Sequence, residues 1–155
     1  MILVLCGTQR QDFSRMIRAV ETISKREKVI VQGGHNHYKS KDLEIFGFLS
    51  QNQLQKLYEK ADYIITHAGA GSMIQALKNG KRTIAFPRLQ AYGEHVNNHQ
   101  LELALKFERM GYLLVCRDGD DLQKIFEKAK TFIPKPYHLK GNIVEMIDRQ
   151  LEEIF

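Results

Sequence analysis

The chain has 155 residues, 43% of them apolar, enough to bury one core, and a single domain spanning 1–155 is expected. A net charge of +5 favours anionic partners such as phosphates, and because no basic run is interleaved with stacking aromatics, nucleic acid is set aside as a partner. Cys6 and Cys116 lie in apolar runs without metal-ligand spacing, which speaks against a disulfide framework or zinc site and fits a reduced, cytoplasmic setting.

The opening MILVLCG is too short an apolar stretch for a secretion signal or a membrane span, and residues 1–6 read as a first strand. Phe13, Met16, Ile17, Val20 and Ile23 recur at helical spacing and predict an amphipathic helix over 12–24. KVIVQ gives a second strand at 28–32, and after the polar GGHNHYKSKD a third is expected at 43–48. Leu54, Leu57, Tyr58 and Ala61 mark a helix beginning near a cap at Ser50, followed by a fourth strand, DYIITH, at 62–67. Met73, Ile74 and Leu77 continue as a helix to Gly80, and a fifth strand at 82–86 stops at Pro87. The longest helical pattern covers 94–110 and ends at Gly111, ahead of a sixth strand at 112–116. Two further helices are expected at about 120–132 and 143–154, either side of PKPYHLKG, the last either packed on its own sheet or docked on a partner. This alternation predicts an α/β, Rossmann-like domain: an open, mostly parallel sheet of about six strands with helices on both faces.

Three polar segments then fall at the carboxyl edge of that sheet, where open parallel sheets bind ligands. In THAGAGS, Gly69, Ala70, Gly71 and Ser72 open a helix after a buried strand. Such a turn brings backbone amides, a hydroxyl and the helix dipole close to an anion, although glycines there also serve tight strand-to-helix packing. Gly7 and Thr8, after the first strand, offer a second set of donors. Pro87 to Gln100, PRLQAYGEHVNNHQ, carries Arg88, Glu94, His95, Asn97, Asn98, His99 and Gln100, and its amides suit neutral sugar hydroxyls. For any one of these residues a solvated helix face or a cap is the simpler role. The chain has neither the GxGxxG dinucleotide fingerprint with its downstream acid nor a Walker A loop, and no GxSxG elbow. His35 and His37 have no carboxylate or cysteine spaced to complete a metal site, and with His138 they read as loop histidines.

Taken together, GTQ, FGFLSQNQLQKLYEKADYIITHAGAGS and GEHVNNHQLELA resemble the C-terminal, donor-binding domain of family 28 glycosyltransferases, over nearly the whole chain. The pattern and size are similar to the soluble catalytic subunits of split enzymes, of the eukaryotic dolichol-linked N-acetylglucosaminyltransferase and of bacterial exopolysaccharide or capsule synthesis. The resemblance implies one half of a GT-B fold and a UDP-sugar donor. It also implies a lipid-linked glycan acceptor and a separate membrane-anchored partner that supplies the acceptor half and recruits this chain to the inner face of the plasma membrane. Position by position, it implies that the Leu49 backbone reads uracil, that Gly69, Ala70, Gly71 and Ser72 hold the diphosphate, and that Asn98, His99 and Gln100 touch the sugar. Gln75 stands where the peptidoglycan relatives carry an acid for the ribose hydroxyls, and a neutral amide is the weaker acceptor.

The implied chemistry is inverting displacement of UDP without a metal or other cofactor. Leaving-group charge would be met by backbone amides, the helix terminus and Arg88; His67, Glu94 and His95 are secondary candidates for the site, with no role assigned. The catalytic base is expected on the partner, so the isolated chain should bind donor and turn over poorly. Two other readings share these residues: a UDP-sugar-binding module that activates a transferase, and a UDP-sugar epimerase-like enzyme. An open pocket lined by Ser72, His99 and Gln100 favours the transferase over the module.

Overall fold

The computed structural model describes residues 1–137, so the expected helix at 143–154 and His138 lie outside the described residues. Six strands, β1 (Ile2–Leu5), β2 (Val29–Gln32), β3 (Glu44–Phe46), β4 (Tyr63–Thr66), β5 (Arg82–Ala85) and β6 (Leu114–Val115), form one sheet in the order β3-β2-β1-β4-β5-β6. Every pairing is parallel, with Leu3 opposite both Ile30 and Ile64 at the centre.

Successive side chains of a strand point to opposite faces, and β1 shows why the sheet is covered on both. Ile2 and Val4 face α1 (Ser14–Glu21) and α5 (Leu122–Thr131), packing with Met16, Ile17, Val20 and Phe126. Leu3 and Leu5 face the other way, onto Tyr58 of α2 (Gln51–Lys60) and Ala76 of α3 (Ala70–Lys78). Leu103 and Phe107 of α4 (His99–Arg109) extend that second layer over Ala85 and Val115. The core residues Ile2, Leu3, Val4, Ile64, Ile65 and Ile84 are fully buried, and each such side chain contributes about 1.5–3 kcal/mol relative to exposure.

Two of the helices are stopped at their N-termini by the side chains one expects. Ser50 and Gln53 form a reciprocal capping box on α2, and Asp121 accepts from the amide of Gln123 at the start of α5. The helix expected over 94–110 starts later, at His99. A short 3-10 turn at Gln90–Tyr92 ends in Gly93 at φ +67°, and the buried Glu94 and His95 hold 94–98 as loop. β3 and β6 are shorter than their apolar runs. At β6 the Glu108 carboxylate accepts from the Val115 amide, 2.7 Å away.

Between β1 and β4 the connections leave in opposite directions, β1 to α1 on one face and β4 to α3 on the other. The loops that follow these two strands, 6–13 and 67–69, therefore part over an open crevice at the carboxyl edge.

Candidate functional site

That crevice holds a cleft of about 440 Å³ whose walls include Gly7, Thr8, Phe48, Leu49, His67 and Gln75, with Gly69, Gly71 and Ser72 at the start of α3. Leu5, Gln32, Gln51, Leu54 and Tyr58 complete it, and among the described residues no carboxylate lines it. A larger, more open hollow of about 600 Å³ lies beside it, between Arg10, Arg18, His35 and His37. Exposed side chains form most of its rim, whereas the smaller cleft joins apolar walls to a helix start and is the better ligand site.

At one end α3 begins without a side-chain cap, because its N-cap is Gly69. The amides of Ala70, Gly71 and Ser72 precede the first intrahelical bond, from Met73 N to Gly69 O, and so have no carbonyl one turn back. Among the described residues a Cβ on Gly71 would meet nothing within 4 Å outside its own helix, so packing does not demand glycine there, although glycine costs a helix roughly 1 kcal/mol relative to alanine. Ala68 reaches this turn at φ +69°, a conformation that β-carbon sterics disfavour by roughly 1–2 kcal/mol. Three uncompensated donors and the positive end of a dipole thus converge on one wall.

Gln75 stands one turn further on. Its Nε2 donates to Gln55 Oε1 at 2.6 Å, and its own Oε1 accepts no hydrogen bond among the described residues. At the far end Phe48, 56% exposed, and Leu49 give an apolar edge, and His35 meets the Phe48 ring edge-on. Gln32 ties the rim together: its Oε1 accepts from Gly7 N at 3.1 Å, and its Nε2 donates to Gly7 O and Gly47 O at 3.3 Å. Sequence reasoning missed Phe48 and Gln32. An exposed aromatic beside a strand end and a buried amide closing a β-strand were the signals available.

The Ser72 hydroxyl is not a free donor to a ligand, contrary to expectation. It donates to Gly69 O at 3.0 Å and lies 2.6 Å from Thr66 Oγ1 and 3.5 Å from His67 Nε2, so its ligand-facing group is the backbone amide. Arg88 is a second correction. It is fully buried, and its guanidinium donates to the carbonyls of Cys6, Gln11 and Glu94 and stacks over Phe13. Burial pulls its pKa below the ordinary guanidinium value, and its role is to clamp two loops together, not to meet leaving-group charge.

Gln100, expected on the sugar, is buried with both amide ends turned inward, Oε1 accepting from Arg88 N and Nε2 meeting His67 Nδ1, each at 3.3 Å. Glu94 is likewise spent inside: it accepts both Nε and Nη2 of Arg15 at 2.9 Å and the Leu89 amide at 3.0 Å. His95 is buried, its Nδ1 accepting from Asn97 N, and burial with Arg88 nearby lowers its pKa. Asn98 stays exposed, its Oδ1 accepting from Gln90 N, and His99 begins α4 half-buried; neither lines the cleft. His67 does line it. Burial first, then Arg88, holds its pKa down at about 3, so the ring is neutral.

Among the described residues no group of three or more His, Cys, Asp or Glu side chains is placed to hold a metal ion, and no helix is long and apolar enough to cross a membrane.

Residues 1–151 match the glycosyltransferase family 28 C-terminal domain. A UDP-N-acetylglucosamine transferase subunit of Candida albicans is 35% identical over 77 residues, 50% of this chain and 25% of that protein. The UDP-N-acetylglucosamine--N-acetylmuramyl-(pentapeptide) pyrophosphoryl-undecaprenol N-acetylglucosamine transferase of Helicobacter pylori is 30% identical over 112 residues, 72% of this chain and 30% of that protein. This chain thus spans well under two thirds of the length of either relative. The crystal structure of the calicheamicin glycosyltransferase shares the fold, with a TM-score of 0.61 at 16% identity over 99% of this chain and 37% of that one. With a family match over nearly its whole length and a glycosyltransferase fold, the chain belongs to the C-terminal domain family of family 28 glycosyltransferases.

Proposed function

We propose that this chain binds the UDP-sugar donor of a glycosyltransferase, with UDP-N-acetylglucosamine the first donor to test, and that it transfers the sugar to a lipid-linked glycan in exopolysaccharide or capsule synthesis. The observation that carries the reading is the cleft at the β1–β4 switch point. Its uncapped amides at residues 70–72 suit a diphosphate, the Oε1 of Gln75 suits ribose hydroxyls, and the Phe48–Leu49 edge suits a base. The sugar names in the C. albicans and H. pylori relatives support N-acetylglucosamine.

Among the described residues the lining supplies no general base. His67 and Tyr58 are its titratable members; the His67 pKa lies far below neutrality, and burial raises that of Tyr58. A base supplied from outside this cleft fits an acceptor half on a membrane-anchored partner that recruits a cytoplasmic chain to the inner face of the plasma membrane. That the C. albicans relative is itself called a subunit agrees with this division.

Calorimetric titration of the purified chain with UDP, ADP, UDP-N-acetylglucosamine and UDP-glucose tests the proposal. Uridine nucleotides should bind in preference to ADP, and Gln75→Ala should weaken UDP by roughly 5- to 10-fold, as expected for one lost hydrogen bond, while leaving inorganic diphosphate unaffected. Equal binding of ADP and UDP, or no nucleotide binding with the partner co-expressed, overturns the donor-site reading.

A further inference from the structure

The amide of Gln100 sits between two groups whose roles are not interchangeable. On one side is the backbone N–H of Arg88, which can only donate, so the Gln100 atom 3.3 Å from it must be the carbonyl oxygen. The flipped amide would set two donors against each other in a site that is 3% exposed. The other end is then the NH₂ group, 3.3 Å from His67 Nδ1, and that ring nitrogen must accept. A neutral imidazole whose Nδ1 accepts carries its proton on Nε2.

We infer that Gln100 is a positioning residue: oriented by the Arg88 amide, it fixes His67 as the Nε2–H tautomer and so presents an N–H donor at the phosphate end of the cleft. Every proton along the line then has a direction. Arg88 N donates to Gln100, Gln100 to His67, His67 Nε2–H points to Ser72 Oγ, and Ser72 donates to Gly69 O. At 3.5 Å the step from Nε2 to Ser72 is the longest in the line, so this N–H is the donor most readily given over to a stronger, anionic acceptor. The ring is packed beside the α-carbons of both Gly7 and Gly69, which leaves it little room to swing out of this line. Burial and the Arg88 charge keep it neutral, so the tautomer, not the charge, is what Gln100 sets. The loop after β5 thereby acts on the turn after β4. The consequence for ligand binding rests on the donor-site reading; the tautomer does not.

Long-range proton–nitrogen NMR of the full chain labelled with ¹⁵N-histidine tests this at pH 8, with the His67 signals assigned by comparison with His67→Gln. Wild-type His67 should show a protonated Nε2 and a bare, hydrogen-bonded Nδ1. Gln100→Glu keeps the shape and the acceptor for Arg88 N but can no longer donate, so a proton should appear on Nδ1. Gln100→Met should shift Nδ1 toward an unbonded pyridine-type nitrogen or let the ring populate both tautomers. A protonated Nδ1 in the wild type, or an Nδ1 signal unchanged in both variants, overturns the inference. In calorimetry at the same pH, Gln100→Glu should weaken UDP by about tenfold or more, the scale of one hydrogen bond to a charged group. A changed tautomer with unchanged UDP affinity overturns the ligand-facing part. Absence of UDP binding to the wild type with the partner co-expressed would overturn the donor reading and leave the tautomer result to stand or fall alone.

Discussion

In the folded chain the imidazole of His67 occupies the space into which a side chain on Gly7 would project: a Cβ there would fall 2.6 Å from both Cε1 and Nε2. Gly7 is also held at φ +79°, where any residue with a β-carbon is strained. Gly7→Ala should therefore act twice. It should destabilise the fold by roughly 1–3 kcal/mol, through overpacking and the unfavourable φ, and it should push His67 away from Ser72. Urea unfolding gives the first effect and UDP titration the second. A variant with native stability and native UDP affinity would show that the His67 seat is looser than the geometry states.

Much of this arrangement was legible in the residues themselves. The six strands follow from apolar runs bounded by Gly, Pro and polar turns, and the Ser50 cap and the glycine start of α3 lie where the sequence signals put them. Gly7, Thr8, Leu49, Gly69, Gly71, Ser72 and Gln75 converge on one cleft because each sits just past a β-strand end or on the first turns of the next helix, and a parallel sheet brings such ends to one edge. Arg88, Glu94 and Gln100 misled for one reason. A polar side chain near a ligand edge has the same letter whether it faces a ligand or satisfies buried carbonyls, and only the partners decide: Cys6 O and Gln11 O for Arg88, Arg15 for Glu94, His67 for Gln100. Those partners lie 33 to 82 residues away in sequence, except that Glu94 is also bound locally through Leu89, so no short-range pattern reveals them.

The buried histidines make stability depend on acid. His67 has its folded pKa depressed to about 3 from an ordinary 6.5, so below 6.5 the unfolded chain binds a proton that the folded chain refuses. Stability from this group is fully present above about 6.5 and is lost progressively as pH falls toward 3; His95, also lowered, acts with the same sign. The midpoint of urea unfolding should thus rise with pH between about 4 and 7. In His67→Gln, which keeps a hydrogen-bonding side chain and cannot titrate, the rise should be shallower. An identical slope in the two proteins would mean that His67 does not carry the dependence.

Arg88 offers the sharpest separation of a structural from a chemical role. Its three carbonyl partners belong to two loops, Cys6 and Gln11 in the β1–α1 loop and Glu94 in the loop before α4, so one guanidinium ties a loop that frames the cleft to the loop that precedes α4. Arg88→Met removes the guanidinium that stacks over Phe13 and leaves those three carbonyls without their donor, and should cost about 2–4 kcal/mol. Arg15→Met should cost at least as much, about 3–5 kcal/mol, because the Glu94 carboxylate it abandons is only 4% exposed and keeps the Leu89 amide but loses its counter-charge. Denaturant unfolding of both variants checks the order. A leaving-group role for Arg88 would give a different pattern, with turnover falling in the partnered enzyme while stability stayed near wild type. If Arg88→Met unfolds at the wild-type midpoint, the clamp is wrong, and a chemical role for this residue becomes the reading to pursue.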